Sequence, residues 1–433
     1  MARGVTAGCW LKHEGRLFMR IGLTTTSFRW DQGAERFVIN LAKGLLQDGQ
    51  EVHVIGRLEK MNAHEQFLDQ LDTEQRKRFW FHRVKTIKAT KYLNLITFAN
   101  AVHRQLQALN LDIVQGFGKS LGLDVFRPPT GTQKAFMLKL HKNPKMEPCT
   151  YQELAIEKRI LFEGARTVVV NSHLSARRIR EVYPEVPIPI EVIPNMVDFS
   201  YWRPEPFLDQ REKLRQSWGI PEDGVVFLHV STAFKTKGVY EALDALKILK
   251  SRLPATQMNR IRMVLVGDSN FKVPADIPDQ ITVFPRTNEI RPYYFAADVL
   301  LHPTHFDSYS NVVLEGLVCG LPVITSVMNG AMEAIDQDQD GRIIETVDPE
   351  SIAEAIGFLL DDDRRKQMKV RARQKSLQFS PENITQQYVQ LYQKLLEQPR
   401  QIQPDYSVKP WQAFLRKELK RDFRDHLNRQ QWS

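Results

Sequence analysis

Cysteine is scarce in this 433-residue chain: Cys9, Cys149 and Cys319 stand far apart. That spacing supplies neither a disulfide framework nor the paired ligands of a zinc site, and it points to a reducing, cytoplasmic compartment. Long apolar runs are missing as well. A membrane-spanning helix needs roughly 18–20 apolar residues in succession. The longest candidate, Val312–Met328, is broken by Glu315, Gly316, Gly320 and Pro322, and reads as a helix followed by a buried strand. Residues 1–18 lack an apolar core of signal-peptide length. Met19 stands directly before the first expected strand, so Met1–Phe18 are read as an N-terminal extension.

Motifs are missing too, and each absence excludes a chemistry. No G-x-G-x-x-G follows the first strand, where Ile21-Gly22-Leu23-Thr24 leads on, which argues against a dinucleotide site. Gly116-Phe117-Gly118-Lys119-Ser120 looks like the end of a P-loop, but Ile113 stands where that motif needs its first glycine. The histidines show no H-E-x-x-H spacing, and no metal is expected. Acid is absent from Arg127–Lys145, which carries Arg127, Lys134, Lys139, Lys142 and Lys145. Asp72–Lys91 adds Arg76, Lys77, Arg78, Arg83, Lys85, Lys88 and Lys91 against Asp72 and Glu74, within a net charge of +9. Both clusters lie in the first half. They are read either as a solvated basic face or as a surface for a polyanion.

What is present is alternation. Short β-branched runs at Arg20–Thr24, Glu51–Gly56, Asp112–Phe117, Thr167–Asn171 and Ile190–Pro194 are separated by helical patterns. In Arg36–Gln47, for example, Phe37, Val38, Leu41, Ala42 and Leu45 form one apolar stripe. The second half repeats the style, with strands expected at Val225–Val230, Arg262–Val266, Ile281–Phe284, Val299–His302 and Pro322–Thr325. Its helices are expected at Tyr240–Arg252, Ile290–Ala297 and Asn311–Val318. Such alternation predicts an α/β chain of two Rossmann-like, doubly wound parallel-sheet domains facing across a cleft. The expected division is an extension over 1–18, a first domain over 19–203, a second over 204–380 and C-terminal helices over 381–433 that cross back to the first. The polar stretch Pro204–Trp218 reads as the hinge.

Ligands of doubly wound sheets bind beyond the carboxyl ends of the strands. After Val225–Val230 comes Ser231-Thr232-Ala233-Phe234-Lys235-Thr236-Lys237-Gly238, which sets small residues and two lysines at a strand end. This is either a capped loop with surface lysines or a phosphate site. After Val299–His302 comes a loop with Asp307, then a helix start near Ser310 and Asn311, then Glu315 in the second turn. Two acids flanking an anion-binding helix start suit a diphosphate set between two sugars.

With those residues in view, the chain resembles the family 4 retaining glycosyltransferases of the GT-B fold. That family carries an acid, seven residues and a glutamate, here Asp307 and Glu315. Leu321-Pro322-Val323-Ile324-Thr325 and Asn329-Gly330-Ala331-Met332-Glu333 follow in the expected order. Gln32-Gly33-Ala34-Glu35-Arg36 is similar to the family's Gly-Gly-Ala-Glu-Arg loop. Ile190-Glu191-Val192-Ile193-Pro194-Asn195-Met196-Val197-Asp198 is similar to its V-I-P-N-G-V-D segment. The likeness runs from about Met19 to Leu396. Within the family, Gln115–Val125 and Leu300-Leu301-His302-Pro303 resemble the glucosyltransferases of the lipopolysaccharide core.

The resemblance implies roles residue by residue. Glu315 would hold the donor ribose and Asp307 a hydroxyl of the transferred sugar. Lys237, helped by Lys235, would neutralise the departing diphosphate. Backbone N–H groups of Ser310, Asn311 and Val312, with Gly33, would cradle the phosphates. Ile290 and the backbone near Arg286 would wall the base. Asp124 would face the reacting carbon or the acceptor hydroxyl, or else cap a helix. No cofactor is implied beyond a nucleoside diphosphate sugar as co-substrate, with UDP-glucose the expected donor. The acceptor would be an anionic glycan or glycolipid, and nucleic acid is not an expected partner. Three departures stand out: no arginine accompanies Lys237, Asp307 is shorter than the usual glutamate, and Gln32 replaces a glycine. Val408–Trp432 has a basic amphipathic pattern that would either touch an anionic membrane or pack on the first domain. The reading from another class is a non-catalytic nucleotide-sugar binder or an epimerase on the same fold.

Overall fold

The computed structural model describes residues 12–13, 16–30, 33–57, 61–128, 131–140, 147–268 and 271–398. Most of Met1–Phe18, Gln32, Lys142, Lys145 and the basic tail Val408–Trp432 lie outside the described residues. The chain divides into two compact units. The first holds Met1–Val170, Ser175–Ile193 and Pro381–Ser433; the second holds Asn171–Leu174 and Pro194–Ser380. The main segment of the second unit thus begins at Pro194, ahead of the expected hinge at Pro204.

The first unit is built on a seven-stranded parallel sheet. Its strands are β1 (Arg20–Thr25), β2 (Glu51–Gly56), β3 (Phe79–Arg83), β4 (Ile113–Gly116), β5 (Val125–Phe126), β6 (Thr167–Val170) and β7 (Ile190–Val192). They lie in the order β3-β2-β1-β4-β5-β6-β7. Ile21, Leu23, Val52, Val54 and Ile113 are fully buried, because strands covered on both faces must be apolar on both. Helix α1 (Gly33–Gln47) presents the expected stripe: Phe37, Val38, Leu41, Ala42 and Leu45 are all buried. The last described helix, Pro381–Leu396, packs on α1. Its Tyr392 hydroxyl donates to Gln115 Oε1 at 2.5 Å, and its Tyr388 hydroxyl accepts from Arg127 Nε at 2.8 Å.

The second unit carries a six-stranded parallel sheet. Its strands are β8 (Val225–Val230), β9 (Ile261–Gly267), β10 (Ile281–Pro285), β11 (Val299–His302), β12 (Val323–Ser326) and β13 (Gly341–Ile344). Their order is β10-β9-β8-β11-β12-β13. Helix α2 (Val239–Arg252) buries Val239, Ala242, Leu243, Leu246 and Leu249, one face at helical spacing. Helix α3 (Asn311–Val318) buries Val313, Leu314, Leu317 and Val318. The strand order reverses between β8 and β11, where the loops that open α2 and α3 meet. That is the switch point at which open α/β sheets place ligands.

Candidate donor site

Gly238 sets the first side of the site. It caps α2 in the left-handed conformation, φ +72°, and a Cβ there would lie 1.9 Å from Pro303 O. Only glycine permits both the turn and the approach. The consequence is that Lys237 lies against the loop leaving β11. His305 N donates to Thr236 O at 3.0 Å, and Thr304 Oγ1 donates to the same carbonyl at 3.2 Å. The loop from β8 is thereby tied to the loop from β11.

Lys237 and Asp307 form an ion pair through Nζ and Oδ2, both side chains about one-fifth exposed. Ser310 Oγ donates to the same Oδ2, and Tyr309 N donates to Oδ1 at 3.1 Å. Asp307 is thus fixed on both oxygens, within reach of solvent. Ser310 is the N-cap of α3, yet its hydroxyl serves Asp307 and makes no capping bond to the helix. Helix geometry leaves the first-turn N–H groups, those of Asn311 and Val312 among them, without intrahelical acceptors. The N–H of Ser310 is taken by Asn329 Oδ1 at 3.1 Å.

Glu315 lies one turn further along α3, half-buried, and accepts from the Tyr294 hydroxyl at 2.8 Å. Ile290 and Val312 pack on the apolar cluster that contains Tyr294 and Leu314. The structure therefore brings Lys237, Asp307 and Ser310 into contact, and sets Asn311, Val312 and Glu315 on the same short helix. Lys235 and Arg286 are exposed at the ends of their loops. Gly33 heads α1 and belongs to the first unit.

Asp124 requires a correction. It is 0 % exposed, and its Oδ2 accepts from Val114 N at 2.9 Å while Arg166 lies 3.7 Å from Oδ1. A carboxylate buried between strands and engaged this way is a sheet-joining group. It caps no helix and presents nothing to a reacting carbon.

Several residues that build the site carried no role in the sequence reading. His302, at the end of β11, places Nε2 2.9 Å from Ser310 Oγ and stacks on His229 with ring centroids 5.5 Å apart. His229 Nδ1 donates to Leu301 O at 2.9 Å, and burial pushes its imidazole down to about 4, so it is neutral. Asn329 Oδ1 takes the N–H groups of Ser310 and Ala331, which joins the starts of two helices. Gly330 passes so close to Ser308 that a Cβ would sit 2.0 Å from its carbonyl oxygen. The available signal was position: His229 and His302 lie at the carboxyl ends of strands, and Asn329 and Gly330 just beyond one.

Comparison with known proteins places these features in a family. Residues 32–201 match the family described as Glycosyltransferase Family 4, and residues 210–375 the one described as Glycosyl transferases group 1. A D-inositol 3-phosphate glycosyltransferase of Acidothermus cellulolyticus is 28% identical over 251 residues, 55% of this chain and 55% of that protein. That of Corynebacterium urealyticum is 26% identical over 278 residues, 60% of this chain and 62% of the relative. The chain thus spans less than two thirds of the length of these relatives. Among solved structures, WaaG, a glycosyltransferase involved in lipopolysaccharide biosynthesis, aligns with a TM-score of 0.65 at 20% identity, over 86% of this chain and 99% of that one. Anabaena HepE in complex with UDP-glucose aligns at 0.62 and 18%, over 87% and 100%. Among the described residues no helix is long and apolar enough to cross a membrane. Two glycosyltransferase families matched in succession along one chain, on two parallel-sheet units that share the fold of WaaG, make this chain a family 4 glycosyltransferase of the GT-B fold.

Proposed function

We propose that the chain moves a hexose, glucose from UDP-glucose, to an acceptor hydroxyl with retained anomeric configuration and without a divalent metal. The observation that carries this is the contact of Lys237, Asp307 and Ser310 at the start of α3, with Glu315 one turn above. The main barrier is departure of a diphosphate. A lysine and the N–H groups of a helix start, fixed where that charge develops, lower it without reorganisation. The Lys237 ammonium rests on Asp307; a diphosphate carries more charge and draws it across. Asp307 then accepts a sugar hydroxyl, and Glu315, a carboxylate with about four acceptor positions, accepts the ribose hydroxyls beside Tyr294.

In this reading residues 204–380 hold the donor and residues 19–203 serve the acceptor. Lys235 adds long-range charge, and the Arg286 backbone with Ile290 meets the base. The acceptor is an anionic glycan or glycolipid of the lipopolysaccharide-core type at the inner face of the cytoplasmic membrane. Support comes from the likeness to WaaG and from relatives named for a phosphorylated polyol.

A thermal-shift panel of UDP, GDP, ADP and their hexose conjugates tests the donor assignment. Ligand at 100 times its Kd stabilises the native state by about 2.7 kcal/mol. Stabilisation by UDP-glucose that is lost in Glu315→Ala is the expected result. A variant that responds like the wild type would sink the assignment.

A further inference from the structure

We propose that His53 and His82 form a proton-operated joint, which fastens the edge strand β3 to its sheet and lets go when both imidazoles are charged. The joint belongs to the first unit alone and does not rest on the transferase reading. β3 pairs on one side only, with β2, since the strand order runs β3-β2-β1. In that register His53 lies beside Trp80, and Ile55 beside His82, so the two imidazoles meet on the diagonal. His53 is 3 % exposed. Its ring lies parallel to Trp80 with centroids 4.9 Å apart, and within 8° of parallel to His82.

One chain of hydrogen bonds runs through the pair. Arg20 Nε donates to Glu51 Oε1 at 2.8 Å, and His53 Nε2 lies 2.8 Å from the same oxygen. Burial alone would raise the Glu51 carboxyl; the bonds from His53 and Arg20 overcome it and hold it below its ordinary range. An ionised carboxylate only accepts, so His53 carries a proton on Nε2 and, while neutral, offers Nδ1 as an acceptor. His82 Nε2, 2.9 Å from that Nδ1, must then donate, and His82 Nδ1 accepts from Gln105 Nε2 at 3.3 Å. A single added proton leaves one N–H between the facing nitrogens, whichever ring takes it. A second sets N–H against N–H and places two positive charges side by side. The link between the strands is then lost.

The elements packed around the pair bring the other titratable groups. The helix Lys91–Ala108 covers this face of the sheet, with Phe98 and Val102 in one apolar cluster with Ile55. Near its Gln105 it carries the exposed Arg104 and the buried His103. His64 lies on the opposite face, against Phe79 and Phe81. Burial, and then His53, keep the His82 imidazole below its ordinary range. A histidine so depressed stabilises the fold fully above its unfolded pKa of about 6.5, and the gain is lost as pH falls below it. β3 therefore holds at neutral pH and is released at acid pH, together with the exposed cations Arg83, Lys85 and Lys88 at its end.

Hydrogen exchange of the full chain, read on the peptides that cover each strand and corrected for the intrinsic pH dependence of exchange, tests the joint. From pH 7.5 to pH 5.5 the protection of β3 should fall about tenfold while that of β1 and β4 holds, because an edge can open without the rest. His82→Gln keeps an N–H for His53 and cannot take a charge, so its β3 should stay protected over the same range. Nitrogen NMR of the histidine-labelled wild type needs no variant. It should show both imidazoles protonated on Nε2 at pH 7.5, and both charged where β3 loses protection, with His64 and His103 titrating apart from that loss. Protection of β3 that stays level with pH would overturn the proposal. So would a variant that loses protection as the wild type does, or either imidazole protonated on Nδ1 alone at neutral pH.

Discussion

His302 Nε2 lies 2.9 Å from Ser310 Oγ, and the same hydroxyl reaches Asp307 Oδ2. An ionised carboxylate has no proton to give, so the hydroxyl donates to Asp307 and the imidazole must donate to the hydroxyl. One tautomer of a buried ring thereby aims the carboxylate proposed to hold the transferred sugar. Burial holds the His302 imidazole well below its ordinary range, which keeps it neutral. His302→Phe keeps an aromatic ring and removes the donor. The expected outcome is a loss of about tenfold in kcat/KM for the donor, in line with the ~1–3 kcal/mol cost of stranding a buried polar partner. His302→Gln, which restores an N–H, should recover most of it. Wild-type kinetics in the Phe variant would show that Asp307 needs no such support.

The two lysines of the β8 loop should differ sharply. Lys237 touches Asp307 and is mostly covered, whereas Lys235 points into solvent. Lys237→Ala is expected to lower kcat about 10²–10³-fold, the loss typical of removing a group that meets developing charge. Lys235→Ala should change kcat/KM less than about fivefold, because an exposed charge is screened. Steady-state kinetics at low and high salt check both. Equal losses in the two variants would refute the ranking.

Gly238 gives a test of architecture. A methyl group there meets Pro303 O and the left-handed turn together. Gly238→Ala should cost more than about 1 kcal/mol of stability, since a residue with a Cβ is strained at this φ. It should also lower kcat by shifting Lys237 off Asp307. Gly219→Ala is the control: its φ is +67°, but nothing lies within 4 Å of the added methyl. If the two variants match in melting temperature and activity, close approach to Pro303 is not what positions the lysine.

Legibility followed burial and length. β8, β11 and α3 begin and end where periodicity put them, because each is an apolar run stopped by a polar or capping residue. β5 and β13 were missed: Val125–Phe126 is too short to show a period, and Gly341–Ile344 opens on a glycine and an arginine where β11 has an unbroken apolar run. β3 was hidden differently. Phe79-Trp80-Phe81 lies inside the Asp72–Lys91 run, where charge drew the reading toward a surface. In the candidate site, the placement of Asp307 in a loop and of Glu315 on the helix after it was legible because that loop and helix are continuous in sequence. His302 and Asn329 were not, since their roles arise from contacts across the sheet. Asp124 failed for an instructive reason. Asp124-Val125 and Asp298-Val299 each precede a strand, and each carboxylate takes the N–H of the second residue of the neighbouring strand, Val114 and Val226. Both are sheet-joining groups, and sequence position alone does not separate such an acid from a catalytic one.

Asp298 and its neighbour in chemistry, Asp340, supply a prediction with opposite signs. Burial alone would raise the Asp298 pKa; Lys369, Arg211, Arg215 and the Val226 N–H overcome it and hold the carboxyl well below 3.8. An acid with a depressed folded pKa stabilises the fold fully above its unfolded pKa, and the gain drains away as pH falls through the folded one. Asp298→Asn, which leaves buried cations unpaired, should cost about 3 kcal/mol at pH 7, or a fall in Tm of roughly 6–12 °C. That deficit should shrink as pH is lowered from 5 toward 3. Asp340 is the reverse case: burial, with Asp336 nearby, pushes its carboxyl up to about 6. Here stability is present below 3.8 and lost as pH rises through about 6, because the fold penalises the charged form. Asp340→Asn should therefore raise Tm at pH 8 and leave it unchanged near pH 4, provided the amide oxygen still takes the Asp336 N–H now held at 2.9 Å. Melting curves of the two variants across pH 3–8 decide the matter. Parallel offsets at every pH would mean that packing, and not ionisation, governs both positions.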